Sequence, residues 1–242
     1  MNATRWLAIL TALLCAQGAW AQQTLTGTVL DLGEGQGRGL AGVKILVRCP
    51  GAADIEDITD ADGHYAIALP QKVKLPVVAE FRKINYRDDP MVINVTEAQV
   101  HDMKVPLIRS RQSGAYNEQV AENIYTQQNP EQQAAQIYAV AALPKDQRDE
   151  VEHALAGKGD PALLRQLTAQ SVMRDEYMRV RDGLDANKFS RVYATPDFAH
   201  SSVSLHGELA SPLEKKQLES IIRDPNGISA ERVGRAPSMQ IQ

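Results

Sequence analysis

Cysteine is almost missing from this chain. Two occur in 242 residues, Cys15 and Cys49, so a disulfide framework is excluded as the source of the fold. Aromatic residues make up only 5%, which argues against stacking platforms for sugars or single-stranded nucleic acid. No block of like charge stands out and the formal net charge is −4. A general phosphate-binding surface is therefore disfavoured, and with it nucleic acid or an anionic membrane as partner. No apolar run approaches the roughly 20 residues of a spanning helix. Among catalytic signatures, H-E-x-x-H and G-x-S-x-G are both missing. The glycine-rich "GEGQGRGLAG" lacks a G-K-S/T ending, and Arg38 stands where a G-x-G-x-x-G begun at Gly33 needs its last glycine. It separates two strand patterns and reads as an inter-strand loop, so no cofactor is expected.

What is present begins with an address. Arg5 precedes "WLAILTALLCA", an apolar core of 11 residues, and Ala19 and Ala21 supply small residues at −3 and −1 of a cleavage site. This pattern predicts a signal peptide over residues 1–21 and an exported product, periplasmic or extracellular. Leu14 before Cys15 argues against lipidation. Cleavage leaves Cys49 alone in "VRCPG", read as a small apolar residue at a strand end.

The mature chain has two periodicities. From Thr24 to about Arg109, short runs alternate with period two: Leu25, Gly27 and Val29; Val43, Ile45 and Val47; Tyr65, Ile67 and Leu69; Met103, Val105 and Leu107. "KLPVVAEF" and "MVINVT" add β-branched runs, and Gly, Pro, Asp and Asn clusters punctuate them. The pattern predicts an antiparallel β-sandwich over 24–109, in which the strands holding Pro76 and Pro106 should lie at edges or carry bulges. Beyond Ser110 the period becomes helical. Asn129-Pro130, Asp160-Pro161 and Ser211-Pro212 are three helix starts, and 115–128 and 145–156 are expected to be helical too. The helical region should span 115–223, with an aperiodic, flexible tail over 224–242.

"TDADGHYAI", residues 59–67, is the most informative stretch. An EF-hand register places Ile58 and Leu69 at ligand positions, which excludes that loop. A turn suits it better: Asp60 and Asp62 can accept from nearby amides, Gly63 can take positive φ, and Tyr65 starts a core-facing strand. These four residues are expected to form a structural hairpin.

Together, "LTGTVLDLGEGQGRGLAGVKILV" and "TDADGHYAIALP" resemble the carboxypeptidase regulatory-like domain, a transthyretin-like sandwich. Gly27 and Val29 match its first strand; Leu40, Gly42 and Ile45 its second. Thr59, Asp60, Gly63 and Tyr65 match its T-D-x-x-G-x-Y turn, and "VHDMKVPLIR" its last strand. Gly39 replaces the proline that often precedes the family's second-strand leucine. The resemblance covers residues 24–109 and implies an accessory module of exported proteins, without naming a ligand. Cyclic-amide hydrolases of this architecture end in Y-R-G-S, whereas this chain ends in "MQIQ".

The functional expectation is an exported, non-enzymatic binding protein that offers sandwich loops or an edge strand, together with helical faces, to a protein partner. One alternative is recognition of carbohydrate or a cell-envelope polymer. Another is a hydrolase with its site in the long 183–210 loop, which alternates briefly at Val203 and Leu205 and where His200, His206 and Glu208 are candidate ligands or catalytic groups. On one alternating strand His200 and His206 would share a face. A self-contained sandwich over 24–109 would fold as an isolated fragment.

Overall fold

Leu25 and Val29 are fully buried while the threonines between them are half exposed, as period two requires of β1 (Thr24–Asp31). In the computed structural model, residues 23–34, 38–49, 52–87, 89–111, 113–189, 191–207 and 209–223 are described. The expected signal peptide (1–21) and tail (224–242) lie outside the described residues. β2 (Lys44–Arg48), β3 (Ile55–Ile58), β4 (His64–Ala68), β5 (Val77–Arg82), β6 (Met91–Val95) and β7 (Met103–Leu107) follow. They form a three-stranded sheet, β4-β1-β7, and a four-stranded sheet, β3-β2-β5-β6. Side chains from both enter one core: the ring of Tyr65 on β4 meets that of Phe81 on β5 at 5.6 Å between centroids. Gly27 leaves the space this needs, since a Cβ there would lie 2.5 Å from the Tyr65 hydroxyl.

Three expectations are corrected here. β1 and β7 pair parallel, from Gly27 opposite Met103 to Asp31 opposite Leu107, so the sheets are not wholly antiparallel. β7 enters its sheet after crossing from the other one, and no hairpin imposes a reversal. Pro106 does sit in an edge strand, but Pro76 precedes β5, which is interior; the proline escapes the ladder by standing ahead of it. β3 was not anticipated, because "IEDI" lacks a β-branched run and half of it faces water.

Nor is the turn at 59–63 a hairpin. β3 pairs with β2 and β4 with β1, so the turn carries the chain from one sheet to the other. Each residue type has a mechanical use. The buried Thr59 hydroxyl donates to Leu40 O at 2.6 Å and accepts from Val43 N at 3.0 Å. Asp60 Oδ1 accepts from the amides of Asp62 (3.0 Å) and His64 (2.8 Å). Gly63 has φ +80°, and a Cβ there would meet Leu40 N at 2.4 Å.

The helices start where their caps dictate. α1 (Gly114–Thr126) is capped by Ser113, α2 (Pro130–Ala141) by Asn129 and α4 (Pro161–Ala186) by Asp160; α3 (Lys145–Ala156) follows Pro144. At the start of α5 (Pro212–Arg223), Glu214 N donates to Ser211 Oγ at 3.2 Å, while the Glu214 carboxylate reaches back to Ala210 N. Between α4 and α5 the expected loop is in fact a hairpin, β8 (Val192–Asp197) and β9 (Ser202–Gly207). Pro196 within β8 hid its strand character.

α4 joins the two halves. At about 1.5 Å per residue its 26 residues span about 39 Å. Leu163 and Leu167 pack among the helices, whereas Met173, Tyr177, Val180 and Leu184 enter the core shared with the sheets. Each such aliphatic side chain stabilises by about 1.5–3 kcal/mol, against about 0–1 for an exposed ion pair, so apolar burial dominates this junction. The same contact explains β6. Val92, on the outward face, is 3% exposed because β8, itself packed on α4, covers it, and Met91 to Ile93 read as three consecutive apolar residues. No helix among the described residues is long and apolar enough to cross a membrane.

Candidate functional site

Alternation places Leu46 and Arg48 of β2, Glu56 and Ile58 of β3, and Glu80 and Arg82 of β5 on the outer face of the four-stranded sheet. On the β5–β6 side, α4 and β8 rise beside this face and enclose a cleft of about 630 Å³. Tyr177 and Arg181 of α4, Phe189, and Tyr193 of β8 form its wall; Arg48, Glu80 and Arg82 form its floor. The same three floor residues line a second depression of about 690 Å³ that runs out over β2 and β3 to Ile58, which is 58% exposed. The two hollows thus form one surface, walled at one side and open at the other.

Its floor is an ion-pair lattice. Arg48 Nε lies 3.2 Å from Glu80 Oε1 and its Nη1 2.8 Å from Asp54 Oδ2, while Arg82 approaches the second Glu80 oxygen at 3.8 Å. Burial lowers the Arg48 pKa, but Glu80 and Asp54 outweigh it and hold the guanidinium above its ordinary value. Burial also raises both wall tyrosines, Tyr193 to about 12. At neutral pH both phenols are therefore protonated and present O–H donors to the cleft. The surface offers guanidinium, carboxylate, phenol and apolar contacts in close order, the chemistry of recognition of a mixed polar chain.

A second polar cluster is structural. The Asp31 carboxylate is buried at the end of β1; Oδ1 accepts from Tyr116 Oη (2.7 Å) and Gly33 N (3.0 Å). Oδ2 accepts from Tyr86 Oη (2.7 Å) and Arg109 Nε (2.9 Å). Arg109 also contacts Glu34, and its guanidinium lies over the Tyr116 ring. Every acceptor position is filled by a group from a different segment, so this knot ties β1, the β5–β6 connection, the end of β7 and α1 together.

The sequence-derived candidates fall elsewhere. His206 lies at the open end of the β8–β9 hairpin, with Nε2 2.9 Å from Thr195 Oγ1 and its ring against Tyr193. His200 sits in the turn at the other end, exposed and 2.8 Å from Asp197. From Ser202 to His206 alone the strand rises about 13 Å, so the two imidazoles cannot share an ion. Sharing a face was an incomplete criterion. Glu208 lies outside the described residues, and among the described residues no three His, Cys, Asp or Glu side chains are grouped to hold a metal. Asp60, Asp62, Gly63 and Tyr65 meet at the sheet-crossing turn and not at a cleft. Cys49 is buried, its thiol donating to Val47 O at 3.8 Å and raised in pKa by burial, which suits packing and not nucleophilic attack. Gly37 to Gly42, "GRGLAG", does spell G-x-G-x-x-G, but β2 follows it, and a phosphate site of that type needs a helix there.

Sequence reasoning missed the cleft because its members come from four separated segments. The available signal was charge at even spacing, Lys44 and Arg48 in "KILVR" and Glu80 and Arg82 in "AEFR", which period two sends to one face.

Compared with family models, curated proteins and solved structures, the chain shows no match.

Proposed function

We propose that the chain is an exported, non-enzymatic binding protein, whose ligand surface is the outer face of the four-stranded sheet, walled by α4 and β8. The two facing sheets serve as a transthyretin-like, carboxypeptidase regulatory-like module, and the helical half supplies one wall of the site. The partner is a protein segment of mixed charge. The observation that carries this reading is the continuity of the surface: the Arg48–Glu80–Arg82 lattice links the walled cleft to the exposed Ile58. A partner strand would cross apolar and ionic contacts in alternation, as an extended peptide presents them.

The test is recovery of envelope proteins on immobilised wild-type and variant chains. Ile58→Asp and Arg82→Glu alter exposed groups and leave the core intact, so each should lower recovery of the specific partner about tenfold. Leu213→Asp, on the exposed face of α5, is the control and should leave it unchanged. Equal recovery by all four proteins would dismiss the surface as the binding site. A second reading, an envelope polysaccharide, is favoured by Tyr177, Phe189 and Tyr193 converging on the cleft wall. It is distinguished by Tyr193→Ala, which would then abolish retention on the polymer while Ile58→Asp would not.

A further inference from the structure

On the far side of Asp89 from the cleft lies a smaller cavity of about 340 Å³, between the β5–β6 connection, the α2–α3 turn and α4. Its lining carries four basic side chains, Arg87, Lys145, Arg148 and Arg174, against two acidic ones, Asp89 and Asp175. Both acids are engaged by Arg174, at 3.0 and 3.3 Å. That leaves the excess of positive charge on the other three, of which Lys145 pairs outward with Asp149.

Arg87 is the informative member. It is 8% exposed, yet among the described residues no carboxylate pairs with it. Its Nη1 lies 3.4 Å from the Met91 sulfur, its guanidinium lies over the Tyr138 ring, and its Nε has no hydrogen-bond partner. A buried cation in that state is costly unless something anionic completes it. Burial depresses its pKa, and the opposing pull of Tyr138 and Asp89 does not offset it. The cavity also borders a helix start that lacks a side-chain cap. α3 starts at Lys145 after Pro144, which offers no side chain to cap it, and Lys145, Gln147 and Arg148 of that first turn line the space. Among the described residues Arg148 has only a carbonyl partner, Ala141 O at 3.3 Å. A helix start without a side-chain cap and a buried guanidinium lining the same hollow are the two halves of an oxyanion site.

We infer that this cavity binds a small organic molecule through an anionic group, carboxylate or phosphoryl, held between Arg87, Arg148 and the N-terminus of α3. The volume exceeds that of a bare oxyanion and leaves room for the body of the molecule. The site is separate from the proposed protein-binding surface and does not depend on it.

The test follows thermal unfolding and calorimetric binding of the full exported chain with inorganic phosphate and with citrate, each against sodium chloride at equal ionic strength. One of the two anions should raise the midpoint saturably, and which one does so identifies the group. Lys145→Gln combined with Arg148→Gln should weaken that binding by about tenfold or more while leaving the anion-free midpoint near wild type. Arg87→Met should abolish binding, and without anion it should unfold no more easily than wild type, since it removes an unpaired buried charge. Destabilisation of the anion-free Arg87→Met chain would make Arg87 a structural residue and overturn the inference. So would midpoints that follow ionic strength alone, or binding that the Lys145/Arg148 pair of changes leaves intact.

Discussion

Replacing Asp31 by Asn tests the claim that a buried carboxylate, and not apolar contact alone, locks the helices to the sheets. The substitution keeps volume and shape. It turns one of two acceptor oxygens into an amide donor, and each oxygen now receives two hydrogen bonds. Whichever way the amide turns, two donors lose their acceptor. Hydrogen bonds to a charged group contribute about 1.5–3 kcal/mol each, so the loss should be about 3–5 kcal/mol. Arg109 limits the upper end, because its half-exposed head can be resolvated. In a domain of this size 1 kcal/mol moves the melting midpoint by about 2–4 °C, giving a fall of about 6–20 °C. Urea unfolding of wild type, Asp31→Asn, Tyr116→Phe and the double variant measures the coupling directly. Tyr116→Phe should cost about 1–2 kcal/mol alone and much less on the Asp31→Asn background. A loss below about 1 kcal/mol for Asp31→Asn, or additive losses in the double variant, would refute the knot as a stabilising unit.

Gly63→Val forces a branched side chain into φ +80° and against Leu40 N, and should destabilise by about 2–5 kcal/mol, whereas Asp62→Ala should stay within about 0.5 kcal/mol in denaturant titration. Alkaline pH should weaken the fold. Burial, reinforced by donation to Asp31, raises Tyr86 to about 12, and burial likewise raises Tyr116 above the ordinary tyrosine value. Both folded values exceed the unfolded one near 10, so this stabilisation is complete below about pH 10 and is lost as pH climbs through the folded values. Urea midpoints between pH 8 and 12 should fall above 10, with a shallower fall in Tyr86→Phe; a flat profile would contradict it. Fragment 24–109 should fail to fold stably alone, since Val92 and Asp31 lose their cover, and the full chain should unfold in one transition by circular dichroism and tyrosine fluorescence. A cooperative melt of the isolated fragment would show that the shared core is dispensable.

How much of this was legible in the residues differs element by element. Period two in "TLTGTVLD" and "HYAIA" identifies β1 and β4 and their buried faces, because a strand's side chains alternate whatever surrounds it. Asn129, Asp160 and Ser211 mark helix starts because capping is satisfied within a few residues. The T-D-x-x-G-x-Y pattern shows that the chain turns at Gly63, since positive φ is a local property. That this turn joins two sheets is not local: the partners of β3 and β4 lie in β2 and β1, and a residue's own neighbours do not specify them. The parallel pairing of β1 with β7 is beyond reach for the same reason. β8 and β9 showed only a brief alternation at Val203 and Leu205, because their burial comes from α4 and β6, which make a sheet face of residues with weak strand character of their own.

Composition and short-range pattern by themselves therefore determined the class of each half, the turn chemistry and the apolar faces; these follow from energies paid or gained within about ten residues. Tertiary structure alone decided that one long helix would carry Leu163 into the helical core and Leu184 into the sheet core. It also decided that Asp31 would meet Tyr86, Arg109 and Tyr116, that Arg48, Glu80, Tyr177 and Tyr193 would share a cleft, and that Arg87 would be buried with no paired carboxylate among the described residues. Each of those outcomes depends on contacts between segments tens of residues apart, whose hydrogen-bond geometry and desolvation exist only once the chain has closed on itself.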